Sequence, residues 1–158
     1  MHLIDVEAAF RVQNDQLALR WFRVAAKQEH KEAQFSLGFM FSRGAEEYRH
    51  YEEAKKWFTL SARQGDAKAQ CSLGWMCEHG LGCKNGPDYA QAVRWYRLAV
   101  GQKNARAEHN LGRLYLKGKG VPRDPHQALG LFRSSAQKGY KRAEGQYARV
   151  QVALLQGR

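Results

Sequence analysis

The residues best suited to chemistry in this chain of 158 are three cysteines at equal steps of six, Cys71, Cys77 and Cys83, and six scattered histidines. An odd cysteine count at that spacing fits neither a disulfide framework nor the short paired spacing of a zinc site. Cys77 stands where equivalent segments carry Phe41 and Tyr115, and Cys83 where another carries Val121. Both therefore read as small apolar packing residues. Cys71 falls beside His109 by repeat position and near His79 by helical turns, but candidate ligands without supporting carboxylates do not make a metal centre. His30 lies in a turn, His126 begins a helix, and no Ser, Cys or Asp stands with them in a nucleophile setting. Gly80-Leu81-Gly82 and Gly118-Lys119-Gly120 are too short for a dinucleotide fingerprint, and no phosphate loop ends in Gly-Lys-Ser or Gly-Lys-Thr. The sequence predicts no catalytic residue, no metal and no cofactor, hence a protein that binds and is not an enzyme.

The elements that would carry a binding surface repeat. Leu37-Gly38 returns as Leu73-Gly74 and Leu111-Gly112, and Trp21-Phe22 as Trp57-Phe58, Trp95-Tyr96 and Leu131-Phe132. Ala33 returns as Ala69, Ala107 and Ala143, and Ala18 as Ala54, Ala92 and Ala128, in steps of 36, 38 and 36 residues. A shared step across unrelated landmarks means one repeating unit. With 44% hydrophobic residues the chain can build a core, and a solenoid builds it between neighbouring units. We expect one domain over 1–158: an N-terminal helix pair at 1–30, repeats at 31–66, 67–104 and 105–140, and a closing helix at 141–158.

Each unit reads as two helices, for about nine in an all-α stack. Ala33, Leu37, Gly38 and Phe41 mark one face of the first. A glycine inside a helix costs about 1 kcal/mol against alanine, so Gly38, Gly74 and Gly112 point to close helix approach. The second helix begins near Asn14, Asp88 and Asp124, all suited to the N-cap, with Pro125 suited to the first turn. His50 fills that slot in the remaining unit, which predicts a weaker cap. Leu3 to Gln13 reads as a first helix joined to its partner by a turn at Asn14-Asp15. Trp21, Trp57 and Trp95, with their aromatic neighbours, are expected in the core.

The runs Leu73-Gly74-Trp75-Met76-Cys77-Glu78-His79-Gly80-Leu81-Gly82 and Leu111-Gly112-Arg113-Leu114-Tyr115-Leu116-Lys117-Gly118-Lys119-Gly120-Val121 resemble Sel-one-like repeats, relatives of the tetratricopeptide repeat. Asp88, Ala92, Trp95, Tyr96 and Ala99 complete an especially close match, whereas Glu46 replaces the second loop glycine of the unit that starts at Ala33. The resemblance implies an α/α superhelical solenoid serving as an adaptor or scaffold; some bacterial members are inhibitors or immunity partners of toxins, and an inhibitor, immunity or assembly factor is the role it suggests here. A cysteine-rich branch of that family staples its units with disulfides; its cysteine slots correspond to Ala62, Gln70, Val100 and Glu108, so that feature does not transfer.

The net charge of +11 is uneven. Through Tyr89 there are 12 Lys plus Arg against 12 Asp plus Glu; from Ala90 onward, 14 against three. The basic half suggests an acidic protein partner. The resemblance implies that first helices line the concave side, placing Phe35, Phe39, Lys68, Trp75, His79, Arg106, His109, Arg113, Lys117, Arg142 and Arg149 as groove residues, together with Glu32, Ser42, Arg43, Cys71, Glu78 and Leu116. Aromatics with arginines are the stuff of binding hot spots. The alternative is a scaffold for nucleic acid or another polyanion, since the pI is about 9.8; against it, the aromatics fall on the neutral half. No apolar run reaches the roughly 20 residues of a membrane span, and Met1-His2-Leu3-Ile4-Asp5 lacks a signal-peptide pattern. A cytoplasmic monomer, not bound to membrane, is expected.

Overall fold

The computed structural model describes the backbone of residues 6–43 and 50–157, with side chains from Gln16 onward within those ranges. Among the described residues there are eight helices and no strand. They are α1 (Val6–Lys27), α2 (Lys31–Arg43), α3 (Tyr51–Arg63), α4 (Ala67–His79), α5 (Tyr89–Gly101), α6 (Ala105–Lys117), α7 (Pro125–Gln137) and α8 (Lys141–Leu155). They pack as an all-α solenoid in which α2 pairs with α3, α4 with α5 and α6 with α7, and each pair leans on the next.

Local chemistry sets the helix ends. Asp66, Asp88 and Asn104 each accept a hydrogen bond from the backbone N–H three residues on, and Asp124 accepts from His126 and Gln127 with Pro125 at the first helical position. His50 makes no such side-chain bond. Gly82 turns back in the left-handed region (φ 64°), where an added Cβ would stand 2.6 Å from the Tyr51 carbonyl oxygen of the preceding unit.

Within each pair, the second helix lays an aromatic ring on a glycine of the first. A Cβ on Gly38 would stand 2.6 Å from the Phe58 ring, on Gly74 2.6 Å from Tyr96, and on Gly112 2.9 Å from Phe132. Those rings are buried, and with the recurring alanines they form the core between units. Polar rungs tie the same pairs. Gln64 Nε2 donates to Gln34 Oε1 at 2.8 Å, Gln102 Nε2 to Gln70 Oε1 at 2.8 Å, and in the third pair Lys138 meets Glu108. Gln34 and Gln70 also donate backwards, to the Ala26 and Ala62 carbonyls.

The turn expected at Asn14-Asp15 does not form: α1 runs unbroken from Val6 to Lys27. Asn and Asp cost at most about 0.7 kcal/mol in a helix, and neither glycine nor proline occurs before Gly38 to break it. Among the described residues eight helices therefore stand where nine were expected. The tryptophans also depart from expectation. Trp21 is 69% exposed and Trp57 and Trp95 are half-buried against the core; Phe58 and Tyr96, the residues after the last two, are buried in it, and Phe22 is half-buried. Glu46 and the residues before Val6 lie outside the described residues.

The ring-on-glycine contact predicts opposite signs for one substitution at two helical glycines. Gly74→Ala should lower unfolding free energy by about 1–3 kcal/mol through overpacking against Tyr96. Gly130→Ala, where nothing lies within 4 Å, should raise it by about 0.5–1 kcal/mol through helix propensity. Urea unfolding followed by circular dichroism measures both.

Candidate binding cleft

The first helices α2, α4 and α6 stand side by side and enclose a cleft of about 240 Å³. Its apolar lining is Phe35 and Phe39 from α2, Phe58 reaching across from α3, and Trp75 and Met76 from α4. Phe35 lies 5.7 Å from the Phe58 ring and 6.1 Å from that of Phe39, so the aromatics form one continuous surface. Phe39 is 42% exposed. Ser42, Cys71, Ser72 and Asn104 complete the wall, and Arg43, Lys68 and Arg106 supply the cations. The Arg43 guanidinium sits over the Phe39 ring at 4.9 Å, a cation–π geometry. Among the described residues the ion pairs are Lys56 with Glu53, Arg113 with Glu78 and Lys138 with Glu108. None involves the three cations of the cleft.

Of the residues expected in the groove, Phe35, Phe39, Lys68, Trp75 and Arg106 are brought together in this cleft. His79 adjoins it: its ring lies 4.8 Å from Trp75, and Nδ1 is 2.9 Å from the Trp75 carbonyl oxygen. Lys117, Arg142 and Arg149 are exposed but do not line it. Two others have partners within the fold. His109 is buried, with its ring 5.7 Å from Phe132 and 5.2 Å from Tyr140 and Nδ1 3.3 Å from Asn110 Oδ1. Arg113 donates to Glu78 Oε1 at 2.9 Å while the Tyr96 hydroxyl donates to Oε2 at 2.9 Å. Glu78 is itself buried, so the pair is an internal brace. Sequence reasoning missed Phe58, Met76, Ser72 and Asn104. Phe58 had a signal, since the glycine beneath its ring lets a second-helix aromatic reach the first-helix face.

Burial sets the chemistry of the remaining titratable groups. It pushes the thiols of Cys71 and Cys77 up to about 11, which keeps them protonated at neutral pH. Cys83 is partly exposed, with Lys55 Nζ 2.9 Å from its sulfur; that bond raises the lysine. Burial lowers His109, and the nearby Arg113 and Arg142 lower it further, against a raising bond to Asn110. Burial and the adjacent Glu78 carboxylate raise Tyr96, which keeps its hydroxyl a donor.

The Sel1 repeat family matches the chain at residues 9–30, 31–66, 67–104 and 105–140. Among solved structures, a Sel1 repeat protein from Oxalobacter formigenes is 35% identical with a TM-score of 0.72, over 82% of this chain and 51% of its own. A protective antigen of uropathogenic Escherichia coli with the SLR fold is 34% identical with a TM-score of 0.75, over 84% and 28%. The chain thus spans about half the length of the first and under a third of the second. Helicobacter pylori cysteine rich protein B shares the fold at 20% identity and a TM-score of 0.62. No curated protein matches significantly. The Gln70 amide donates to the Ala62 carbonyl oxygen at 3.2 Å, which joins α4 to the end of α3.

Two predictions concern these groups. His109 has a folded pKa below its ordinary 6.5, so the unfolded chain takes the proton first as pH falls. Its contribution to stability is complete above pH 6.5 and is lost as pH drops below that value; His109→Gln should flatten this part of the stability profile measured by urea unfolding. A chromogenic disulfide reagent should titrate Cys83 first in the native protein, with Cys71 and Cys77 reacting only as the fold opens.

Proposed function

The chain belongs to the Sel1 repeat family, whose members are generally protein-interaction scaffolds, and from that premise we propose that it holds an acidic segment of a partner protein across α2, α4 and α6. The observation that carries this reading is the cleft: three cations without carboxylate partners among the described residues, set around a partly exposed aromatic floor. The aromatics supply apolar contact and the arginines grip carboxylates with paired hydrogen bonds. Aromatic contact and paired hydrogen bonds fit capture of a partner, so we read the chain as a non-catalytic adaptor.

A second reading has one observation in its favour. Arg43, Lys68 and Arg106 sit beside Phe39 and Trp75 in the cleft, so cations and stacking surfaces are interleaved as single-stranded nucleic acid requires. Phosphate neutralisation would then make affinity fall steeply with salt.

Reversing two exposed cations tests the first reading without disturbing the fold. Lys68→Glu with Arg106→Glu should remove the partner from affinity capture of native extract, identified by mass spectrometry, while helical content stays at the wild-type level. Undiminished capture would overturn the reading. Mixed oligonucleotides titrated at two salt concentrations distinguish the second, which predicts binding at low salt that the same double variant abolishes.

A further inference from the structure

The three cations of the cleft do not stand together. Gln64, just past the end of α3, meets Gln34 near the start of α2, and Gln70, near the start of α4, donates to the Ala62 carbonyl oxygen at the end of α3. α2 and α4 therefore start at the same edge of the solenoid, and the contact between Gln102 and Gln70 puts the start of α6 there too. Lys68 and Arg106 each follow the first residue of their helix, whereas Arg43 ends α2. Glu32, which shares the repeat position of Lys68 and Arg106, precedes Arg43 by 11 residues. At about 1.5 Å per residue, the two cationic ends lie about 16 Å apart along the helices. Glu32 itself does not line the cleft, and among the described residues it pairs with none of the three cations.

The apolar floor lies between those ends, on Phe35, Phe39, Trp75 and Met76 from the middle of α2 and α4. Its volume limits what enters. A protein cavity of about 150 Å³ takes a benzene ring, and pockets for free small molecules begin near about 300 Å³. The cleft, at about 240 Å³, has room for one aromatic side chain. Chain geometry decides how that side chain is delivered. An extended segment spans about 16 Å with about five residues and points every second side chain to one side. A helix needs about 11 residues for the same span and turns most of its side chains away.

Resting on the reading of this cleft as the site of an acidic segment, we infer that the segment it selects has one aromatic residue with an acidic residue two positions to either side, bound extended along the groove. The three side chains share one face of the extended chain, and the outer two stand about 13 Å apart. The ring meets Phe35, Phe39 and Trp75, with the sulfurs of Met76 and Cys71 as soft contacts. One carboxylate lies toward Arg43 and the other toward Lys68 and Arg106, and these long side chains close the remaining distance. Charge draws an acidic segment to the cleft, and the ring distinguishes this segment from other acidic ones.

Calorimetric titration with a synthetic extended peptide tests this. The parent peptide has phenylalanine at its centre, glutamate two positions to either side, serine elsewhere and blocked ends. Replacing the phenylalanine by alanine should weaken binding about 30-fold, the loss expected of a buried anchor. Replacing either glutamate by glutamine should weaken it about fivefold, as for a partly exposed ion pair. Arg43→Gln should make one glutamate dispensable, and Lys68→Gln with Arg106→Gln the other. Cys71→Phe fills the cleft with the ring that Phe35 carries at the same repeat position, and should bring the phenylalanine peptide down to the alanine peptide. Phe39→Ser, at a site 42% exposed, should do so in part; circular dichroism confirms folding of each variant. Equal binding of the phenylalanine and alanine peptides would overturn the aromatic anchor, and one glutamate made dispensable by both sets of variants would overturn the two-ended arrangement; neither result touches the acidic-segment reading. A parent peptide that fails to bind overturns the motif. If Lys68→Glu with Arg106→Glu also leaves capture from native extract undiminished, the acidic-segment reading falls with it.

Discussion

A missing side chain, three times over, fixes the geometry of this protein. Gly38, Gly74 and Gly112 present bare backbone to the rings of Phe58, Tyr96 and Phe132, which would overlap with any Cβ. Close packing leaves little freedom around such a contact, so it sets how near the two helices of each unit lie. The middle unit adds a consequence. Its ring is a tyrosine, and the facing first-helix position is Glu78 where the other units have Ser42 and Leu116. Once the ring is seated on Gly74 its hydroxyl meets that carboxylate, whose other oxygen takes Arg113 from the next unit. One packing contact thereby places a buried charge, and the charge braces two repeats.

The polar rungs show a second way of joining the same helices. Two units exchange an amide hydrogen bond and the third substitutes Lys138 and Glu108 in the same slots. The amide version is more completely satisfied, since Gln34 and Gln70 both donate and accept. A carboxylate cannot donate, and Glu108 Oε2 is left buried without a partner among the described residues. Ser134 and Lys138 both converge on its other oxygen. Buried polar pairs add specificity of register at a cost in desolvation, and the cost falls on the unit of α6 and α7.

The repeat, the helix pairs and their caps were legible in the sequence because they depend on local spacing and on residues with one physical use, such as Asp88, Asp124 and the helical glycines. What was not legible depends on neighbours. Trp21, Trp57 and Trp95 share a register with the core rings, but the pattern cannot say which of two adjacent aromatics the core takes. Trp21 further depends on whether a helix folds back over it, which Asn14 and Asp15 alone do not enforce. His109 and Arg113 carry the residue types of a binding groove. Tyr140 and Phe132 cover one and Glu78 engages the other, all from elements distant in sequence.

Charge counted along the chain misplaces the site for the same reason. The excess of cations lies after Ala90, yet Arg43 and Lys68 of the cleft belong to the balanced part and Arg106 alone to the basic part. Net charge counts Glu78 and Glu108 as free, whereas burial against Arg113 and Lys138 has taken them up, and Arg43, Lys68 and Arg106 are left without partners among the described residues. Shape decides where those cations converge. Phe35, Cys71 and His109 occupy one position of three successive units, a large, a small and a large residue. His109 turns its ring into the core against Phe132 and Tyr140, Phe35 packs on Phe58, and the short Cys71 side chain leaves the space between them open. A thiol held protonated by burial adds no charge to that space. The residue that first suggested chemistry thus contributes by being small, and the opening it leaves is where aromatic surface and unpaired cations meet.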